Sequence, residues 1–350
     1  MGRNHDPMRH PRISAAFCAS VAAAWAVMSS WIDGPESLPF LFVQYAAFLV
    51  LFAALPSSLR LAWGIVTGKV PTGWARFFLK TAVGYHVLLA VVAAVSGAFL
   101  AYNNEIAPAR LPLAVLSNGE RTVVFRTMAH VATPDFYLRA QSGAVAAQAS
   151  GAVVFFEGVR PGSPKNFARL QEALGVKFGP GIYEALASLA GVRDQLSFPV
   201  VGTASGAREN VDLSVDEIMA AYDAAASTGA LAALPESTGA LADLADLARV
   251  AERFGPRQRA ALAYAARAAL NFVIRNEELS KQAMRREKPV LMAAILDARD
   301  KHLAAAILSS KRKDVYAVYG LMHLQGVYDE LRKADPRWDI ISVTYDEPLR

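Results

Sequence analysis

Short apolar runs in the second part of the chain are followed closely by a histidine or a glutamate. The runs are rich in β-branched and aromatic side chains, which is typical of buried parallel strands. Three of them stand out, at 122–128, 152–156 and 314–319. His130 follows the first run, Glu157 the second and His323 the third. In open α/β sheets the reactive crevice lies beyond the carboxyl ends of the strands. We therefore expect both imidazoles and the carboxylate to meet at one edge of the sheet.

The pattern around these runs predicts a mixed α/β domain. Helical segments are expected at 136–150, 165–175, 289–308 and 326–333, and further strands at 199–202 and 340–345. Residues 213–286 carry no strand signal and read as a helical insertion. Ser214, with Glu217 three residues later, forms a capping-box pattern at its start. The insertion fits either a lid over the crevice or a plain packing scaffold.

The first hundred residues are much more apolar than the rest of a chain that is 54% hydrophobic overall. Three stretches approach the roughly 20 residues that a bilayer-crossing helix needs. They are 13–31, 38–55 and 81–102. The expected fold is thus a three-span α-helical membrane segment over 1–104, followed by the α/β domain with its insertion over 105–350. For the first stretch, a cleaved signal peptide is the alternative.

Flanking charges predict how this segment would be oriented. Residues 1–104 hold seven Lys and Arg against three Asp and Glu, and the remainder is close to neutral. Basic loops collect on the cytoplasmic side, so we expect a cytoplasmic N-terminus, a lipid bilayer as partner, and a periplasmic or extracellular domain. Because the net charge of +5 is concentrated near the spans, it does not indicate nucleic-acid binding. The single cysteine, Cys18, excludes an intrachain disulfide.

Other polar residues near the predicted site are open to two interpretations. Arg160, just after Glu157, could pair with that carboxylate, bind an anionic intermediate or be an ordinary loop residue. Asp212 precedes a helix and could cap it. Arg299 and Asp300 belong to a charged helical cluster that includes His302, and such clusters are usually solvated faces.

Taken together, four segments resemble the ordered motifs of the TraB/GumN/Tiki superfamily. They are Phe125–Tyr137, Val153–Gly158, Ala298–Asp300 and Gly320–Gly326. That superfamily has two G-x-x-H motifs, a glutamate after the second strand, and an arginine on the helix before the last motif. Thr127 stands where the first motif has glycine, and Asp300 where asparagine often follows the arginine. The resemblance covers about residues 122–333.

The resemblance implies a fold shared with erythromycin-esterase-like and haem-uptake-type proteins, and a metal-dependent peptidase activity in its Tiki members. It makes His130 and His323 the paired motif histidines, Glu157 the carboxylate and Arg299 the motif arginine. His130, His323 and Glu157 would bind a divalent ion or activate its water, and Arg299 would hold Glu157 or stabilise an oxyanion. Zinc is not specified, because the site lacks sulfur ligands and an H-E-x-x-H helix; the resemblance to the Tiki members implies manganese or cobalt.

Two functions are compatible with these features. The first is a membrane-anchored, divalent-metal-dependent hydrolase, a peptidase acting on peptide or protein substrates outside the cytoplasm. The second is a non-enzymatic module of the same fold that binds a peptide signal, a metal or a haem-like ligand. Retention of both histidines, Glu157 and Arg299 favours the enzyme, whereas Thr127 favours the binding module. The sequence leaves the oligomeric state open.

Overall fold

A six-stranded mixed sheet organises the second of two compact units, Leu100–Arg350; the first unit is Met1–Phe99. The computed structural model describes residues 63–64, 66–68, 74–174, 182–196, 207–227 and 251–350. The strands are β1 (Leu111–Ser117), β2 (Thr122–Met128), β3 (Val131–Ala132), β4 (Val153–Phe156), β5 (Arg193–Asp194), β6 (Arg208–Asn210), β7 (Asp314–Gly320) and β8 (Asp339–Asp346). The main sheet has the order β6-β4-β7-β2-β1-β8, and β3 pairs with β5 separately.

Four neighbouring strands of this sheet run parallel. Strand β7 lies in the middle, parallel to β2 on one side and to β4 on the other, and β6 continues the parallel set beyond β4. Strands β1 and β8 complete the sheet in antiparallel orientation. The predicted α/β domain with a mixed sheet is therefore confirmed. The three apolar runs are the adjacent parallel strands β2, β4 and β7.

The described helices are α1 (Trp74–Ala101), α2 (Pro134–Ala149), α3 (Pro164–Leu174), α4 (Ile182–Ala190), α5 (Val215–Ser227), α6 (Pro256–Arg275), α7 (Glu277–Glu287), α8 (Pro289–Met292), α9 (Ala298–Ser309) and α10 (Leu324–Ala334). A π-helical turn, Ala293–Asp297, separates α8 from α9, so the helix predicted over 289–308 is interrupted. The capping box is present: Glu217 Oε2 accepts from Ser214 N at 2.7 Å, and Ser214 Oγ accepts from Glu217 N at 3.2 Å.

Helices cover the sheet on both faces and bury its apolar side chains. On one face, Leu303 and Ile307 of α9 and Leu331 of α10 pack on the sheet together with Trp338. On the other face, Phe136 and its neighbours in α2 pack against β4 and β7. Because both faces are covered, the inner parallel strands β2, β4 and β7 are mostly apolar rather than alternating. The carboxyl ends of the strands are then the natural place for polar chemistry.

The membrane segment of the predicted fold is contradicted. Within the described residues, no helix is long and apolar enough to cross a bilayer. The expected third span, 81–102, falls mainly in α1 (Trp74–Ala101). The other two expected spans, 13–31 and 38–55, lie outside the described residues.

Regular structure begins early in the second unit, where a π-helical turn covers Tyr102–Ile106 and β1 begins at Leu111. The expected strand at 199–202 lies outside the described residues. Strand β6 occupies Arg208–Asn210 instead, and its polar sequence carries none of the apolar signal expected of a strand.

Candidate active site

Four adjacent parallel strands deliver polar side chains to the same edge of the sheet. Glu157 directly follows β4, and Asp212 follows the edge strand β6. His130 lies beyond the end of β2, and His323 ends the short 3₁₀ turn Leu321–His323 that follows β7. This is the position that the topology assigns to a reactive crevice.

Arg299, on the first turn of α9, holds two of these carboxylates. Its Nε and Nη2 donate to the two oxygens of Asp212 at 2.7 and 2.6 Å, and Nη2 also donates to Glu157 Oε1 at 2.6 Å. The side chain of Asp212 is fully buried, and those of Arg299 and Glu157 are 10% and 17% exposed. Such bidentate, charge-assisted hydrogen bonds are strong and directional.

Backbone N–H groups complete the hydrogen bonding of both carboxylates. Asp212 accepts from Gly158 N at 3.0 Å and from Leu213 N at 2.8 Å. Glu157 Oε2 accepts from Gly320 N at 2.5 Å. The interpretation of Asp212 as a helix cap is therefore wrong, because Ser214 caps α5 and Asp212 binds the motif arginine.

His323 is buried between two carboxylates. Its Nδ1 donates to Asp300 Oδ1 at 2.6 Å, and its Nε2 lies 3.7 Å from Glu157 Oε1, an ion-pair contact longer than a hydrogen bond. Asp300 is itself buried on α9, so it does not belong to a solvated charged face. A side chain at Gly326 would place its Cβ 1.8 Å from Asp300 Oδ2. The glycine that follows the histidine motif thus gives Asp300 room to reach His323.

This environment shifts the pKa values of both members of the pair. Burial alone would lower the pKa of His323, but the hydrogen bond to Asp300 and the adjacent Glu157 carboxylate raise it to about 9. Burial alone would raise the pKa of Glu157. The neighbouring His323, the charge of Arg299 and the N–H of Gly320 outweigh that effect, so the pKa of Glu157 lies well below its usual range. Near neutral pH the pair is an imidazolium facing a carboxylate.

His130 lies in a different setting, exposed at the mouth of the site. Its Nδ1 is 3.2 Å from Gln195 Oε1, an acceptor that pairs with Nδ1 when this nitrogen carries the hydrogen; Nε2 then offers a lone pair and has no hydrogen-bond partner among the described residues. The ring stacks on Tyr183 with centroids 4.5 Å apart. Burial, reinforced by the charge of Glu157, raises the pKa of Tyr183, so its hydroxyl stays protonated. Tyr183 thus lies close to His130 and within the electrostatic reach of Glu157.

A cavity of about 790 Å³ opens in front of these groups. His130, Glu157, Tyr183 and Arg299 all line it. The opposite wall is apolar and comes mainly from α3 and α5, through residues such as Leu170 and Ile218. A concave, largely apolar pocket with a few convergent polar groups is the usual form of a small-molecule site.

The predicted metal ligands are poorly suited to a divalent ion in this arrangement. Within the described parts of the chain, no group of three or more His, Cys, Asp and Glu residues is placed to hold a metal. Both nitrogens of His323 face carboxylates, and as an imidazolium it has no free lone pair. Both oxygens of Glu157 already accept hydrogen bonds, one of them from the cationic Arg299. Electrostatic repulsion from Arg299 and His323 opposes a cation beside Glu157.

Two further predicted roles differ from what the structure contains. Arg160 does not bind Glu157; it donates to Glu217 Oε2 at 2.8 Å and to the carbonyl oxygen of Asp212 at 2.7 Å. Thr127, which replaces the motif glycine, is fully buried, and its hydroxyl donates to Pro112 O at 2.6 Å. The threonine therefore ties β2 to β1 and does not protrude into the site.

Sequence reasoning missed several residues that the fold brings to the site. Tyr183 and Gln195 give no motif signal, because they reach His130 through the small β3-β5 pairing beside α4. Lys281 of α7 is buried and donates to Met322 O at 3.1 Å, directly beside His323. The helical insertion therefore contacts the buried pair, a role that alanine-rich helical sequence does not reveal.

Comparison with known proteins adds no relatives. No protein-family model, no curated protein and no solved structure matches the chain. The resemblance to the TraB/GumN/Tiki superfamily therefore rests on the four motif segments alone, and the function is argued from the geometry of the site.

The raised pKa of His323 predicts a pH-dependent stability. With a folded-state pKa of about 9 against about 6.5 unfolded, the protonated histidine contributes roughly 3 kcal/mol, at about 1.4 kcal/mol per pKa unit. This contribution is complete below pH 6.5 and is lost as pH rises through 9. We expect the free energy of unfolding, measured with urea, to fall accordingly between pH 6.5 and pH 9.5.

His323→Gln should flatten this part of the stability curve. His302→Gln is the control, because His302 lies on α9 outside the buried pair, and it should leave the curve unchanged. Equal slopes for the wild-type protein and His323→Gln would show that the imidazolium is not stabilised by Asp300 and Glu157.

Proposed function

We propose that residues 100–350 form a hydrolase that cleaves an ester or amide bond by acid–base catalysis, with water as the nucleophile. The observation that carries this proposal is the placement of His130, Glu157, Tyr183 and Arg299 together at one end of an otherwise apolar cavity. Each of these side chains has a chemically distinct part in carbonyl hydrolysis. A peptide bond falls within the same reaction class, so the peptidase interpretation is one case of this proposal.

His130 is the general base. Gln195 fixes the Nδ1–H tautomer and leaves Nε2 to accept a proton from water. The water oxygen then attacks the carbonyl carbon, and the proton passes to Nε2. When the tetrahedral intermediate collapses, the carbon–oxygen or carbon–nitrogen bond to the leaving group breaks, and His130 returns its proton to that group. The products are a carboxylic acid and an alcohol or amine.

Arg299 and Tyr183 supply hydrogen-bond donors for the developing oxyanion. Arg299 uses four of its five N–H groups on Asp212, Glu157 and Ile295 O, which leaves one Nη1 N–H without a partner among the described residues. The Tyr183 hydroxyl remains a donor because its pKa is raised. Donors held in place before reaction give the largest electrostatic benefit.

Glu157 supports the protonated base. Its lowered pKa keeps it ionised, so it stabilises the positive charge that forms on His130 during attack. Asp300 orients His323, and His323 in turn contacts Glu157. Both are positioning residues, because they act on the reacting atoms only through the carboxylate of Glu157.

The proposal is tested by hydrolysis assays on the purified full chain, with neutral fluorogenic esters and a peptide library, with and without EDTA. We expect turnover that survives EDTA. Glu157→Gln should lower kcat at least about a hundredfold, the scale of an acid–base contribution. Glu209→Gln is the matched control, because Glu209 is an exposed glutamate on the edge strand β6.

Other outcomes would point elsewhere. Activity that is lost with EDTA and restored by Mn²⁺ or Co²⁺ would support a metal-dependent hydrolase instead. Equal losses for Glu157→Gln and Glu209→Gln would remove Glu157 from the mechanism.

The alternative is a module that binds a ligand without cleaving it. One observation favours it: both oxygens of Glu157 already accept hydrogen bonds from Arg299 and Gly320, an arrangement that also suits a purely structural ion pair. Specific ligand binding without turnover of any ester or peptide would support this alternative.

A further inference from the structure

Most of the cavity lining outside the polar cluster consists of apolar side chains. Nine of the fifteen lining residues are valine, leucine, isoleucine, phenylalanine or proline. Helix α3 contributes Phe167, Leu170 and Leu174, and α5 contributes Val215 and Ile218. Leu170, Val215 and Ile218 are at most 8% exposed, so they form a fixed surface. From Phe167 to Leu174 the helix rises roughly 10 Å, which makes the apolar wall long as well as wide.

The charged groups at the cavity are neutralised by one another. Arg160 pairs with Glu217 at the rim, and Arg299 pairs with Glu157 and Asp212. In the described lining, no cation is left over to bind a carboxylate or phosphate of a ligand. The buried carboxylates of Glu157, Asp212 and Asp300 are balanced by the cations of Arg299, His323 and the neighbouring Lys281. The cluster therefore has no uncompensated positive charge to attract an anionic ligand.

The mouth of the cavity is also apolar. Val159 and Phe167 line it and are 43% and 44% exposed. Exposed apolar side chains that continue a buried apolar surface mark the entry path of an apolar ligand more often than scattered surface residues do. An apolar ligand entering here meets exposed hydrocarbon beside His130.

From these features we propose that the cavity takes a neutral ester with an unbranched apolar acyl chain, the chain lying between α3 and α5 and the carbonyl group beside His130 and Glu157. The hydrolytic part of this statement rests on the proposed function; the choice of an uncharged, hydrocarbon-rich ligand rests on the cavity wall and its charges. Short acyl groups would leave the apolar wall unfilled, and peptides with charged side chains would have to lose their hydration without compensation.

The first test compares p-nitrophenyl acetate, butanoate and octanoate as substrates of the full chain. Each methylene buried against the wall should raise kcat/KM by roughly fourfold, so octanoate should exceed butanoate by on the order of a hundredfold. Val159→Trp narrows the mouth and should lower kcat/KM for octanoate far more than for acetate, so the preference for the longer acyl chain should disappear. Val145→Trp is the matched control, because Val145 is 45% exposed on α2 and lies outside the cavity lining.

The second test measures binding without chemistry, with the neutral fluorescent probe N-phenyl-1-naphthylamine and its displacement by decan-1-ol. Val159→Trp should weaken probe binding at least about tenfold, and Val145→Trp should not. Site-specific binding without ester hydrolysis would refute the hydrolase and leave the ligand class standing. Hydrolysis that is indifferent to acyl length, or probe binding unaffected by Val159→Trp, would overturn the ligand class while leaving the hydrolase in place.

Discussion

Arg299→Met should destabilise the protein by about 3–5 kcal/mol, the cost typical of removing one partner from a buried ion pair. Methionine has a similar length but no charge and no N–H donors. The substitution leaves Asp212 fully buried with two of its hydrogen bonds missing, and Glu157 with His323 but without Arg299 as a cationic partner. Urea unfolding monitored by far-UV circular dichroism at pH 7 measures the loss.

Arg285→Met is the matched control. Arg285 also makes a bidentate pair, donating to both oxygens of Asp297 at 3.1 and 2.6 Å, but both side chains are about 40% exposed. Exposed pairs contribute about 0–1 kcal/mol, so this variant should be nearly as stable as wild type. Because the charge of Arg299 helps to hold the pKa of Glu157 below its usual range, the deficit of Arg299→Met should also shrink as the pH falls below about 4. Similar losses in the two variants, or a deficit independent of pH, would contradict the buried network.

The part of the site that follows buried strands could be predicted from the sequence. His130, Glu157 and His323 follow short continuous apolar runs, which are typical of parallel strands covered on both faces. This pattern can be recognised from neighbouring residues in the sequence alone. Arg299 was identified through the motif resemblance, since nothing in a charged helical segment distinguishes a buried arginine from a solvated one. Its burial depends on α9 packing over the ends of β4 and β6.

Asp212 could not be assigned because its strand has no apolar signal. Strand β6 is a three-residue edge strand, Arg208–Asn210, whose side chains are all exposed. Strand β6 pairs with β4, which is distant in the sequence, and the hydrophobic pattern of neighbouring residues does not predict such a pairing. Asp300 illustrates a related difficulty: its burial becomes visible only with Gly326, whose missing side chain lets α9 and α10 approach. Gly326, three residues after His323, indicates a close approach of another part of the chain, but the sequence does not show that α9 and its Asp300 are that part.

The metal prediction was made from residue types alone. Two histidines and a glutamate at one sheet edge are suitable ligands, yet the types do not show how many lone pairs remain free. In the folded domain Asp300 and Glu157 engage His323, and Arg299 and Gly320 engage Glu157. Hydrogen bonds within the cluster thus replace the coordination that the sequence suggested, and they leave His130 as the exposed imidazole.

His130→Ala should lower kcat for ester hydrolysis by roughly 10²- to 10⁴-fold, the range typical of losing a general base, with little change in KM or in the free energy of unfolding. Because His130 is exposed and its contacts are confined to Gln195 and Tyr183 among the described residues, the substitution removes little packing. The space it leaves at the cavity mouth is open to solvent, so added imidazole should restore part of the activity in a concentration-dependent way.

His302→Ala is the control for this last experiment, since His302 lies on α9 outside the cavity lining. It should retain wild-type kcat and show no response to imidazole. Rescue of His130→Ala by imidazole separates a proton-transfer role from a structural one, because a free base in solution replaces the lost lone pair but not a lost packing contact. A His130→Ala variant that keeps full activity would show that His130 is not the general base.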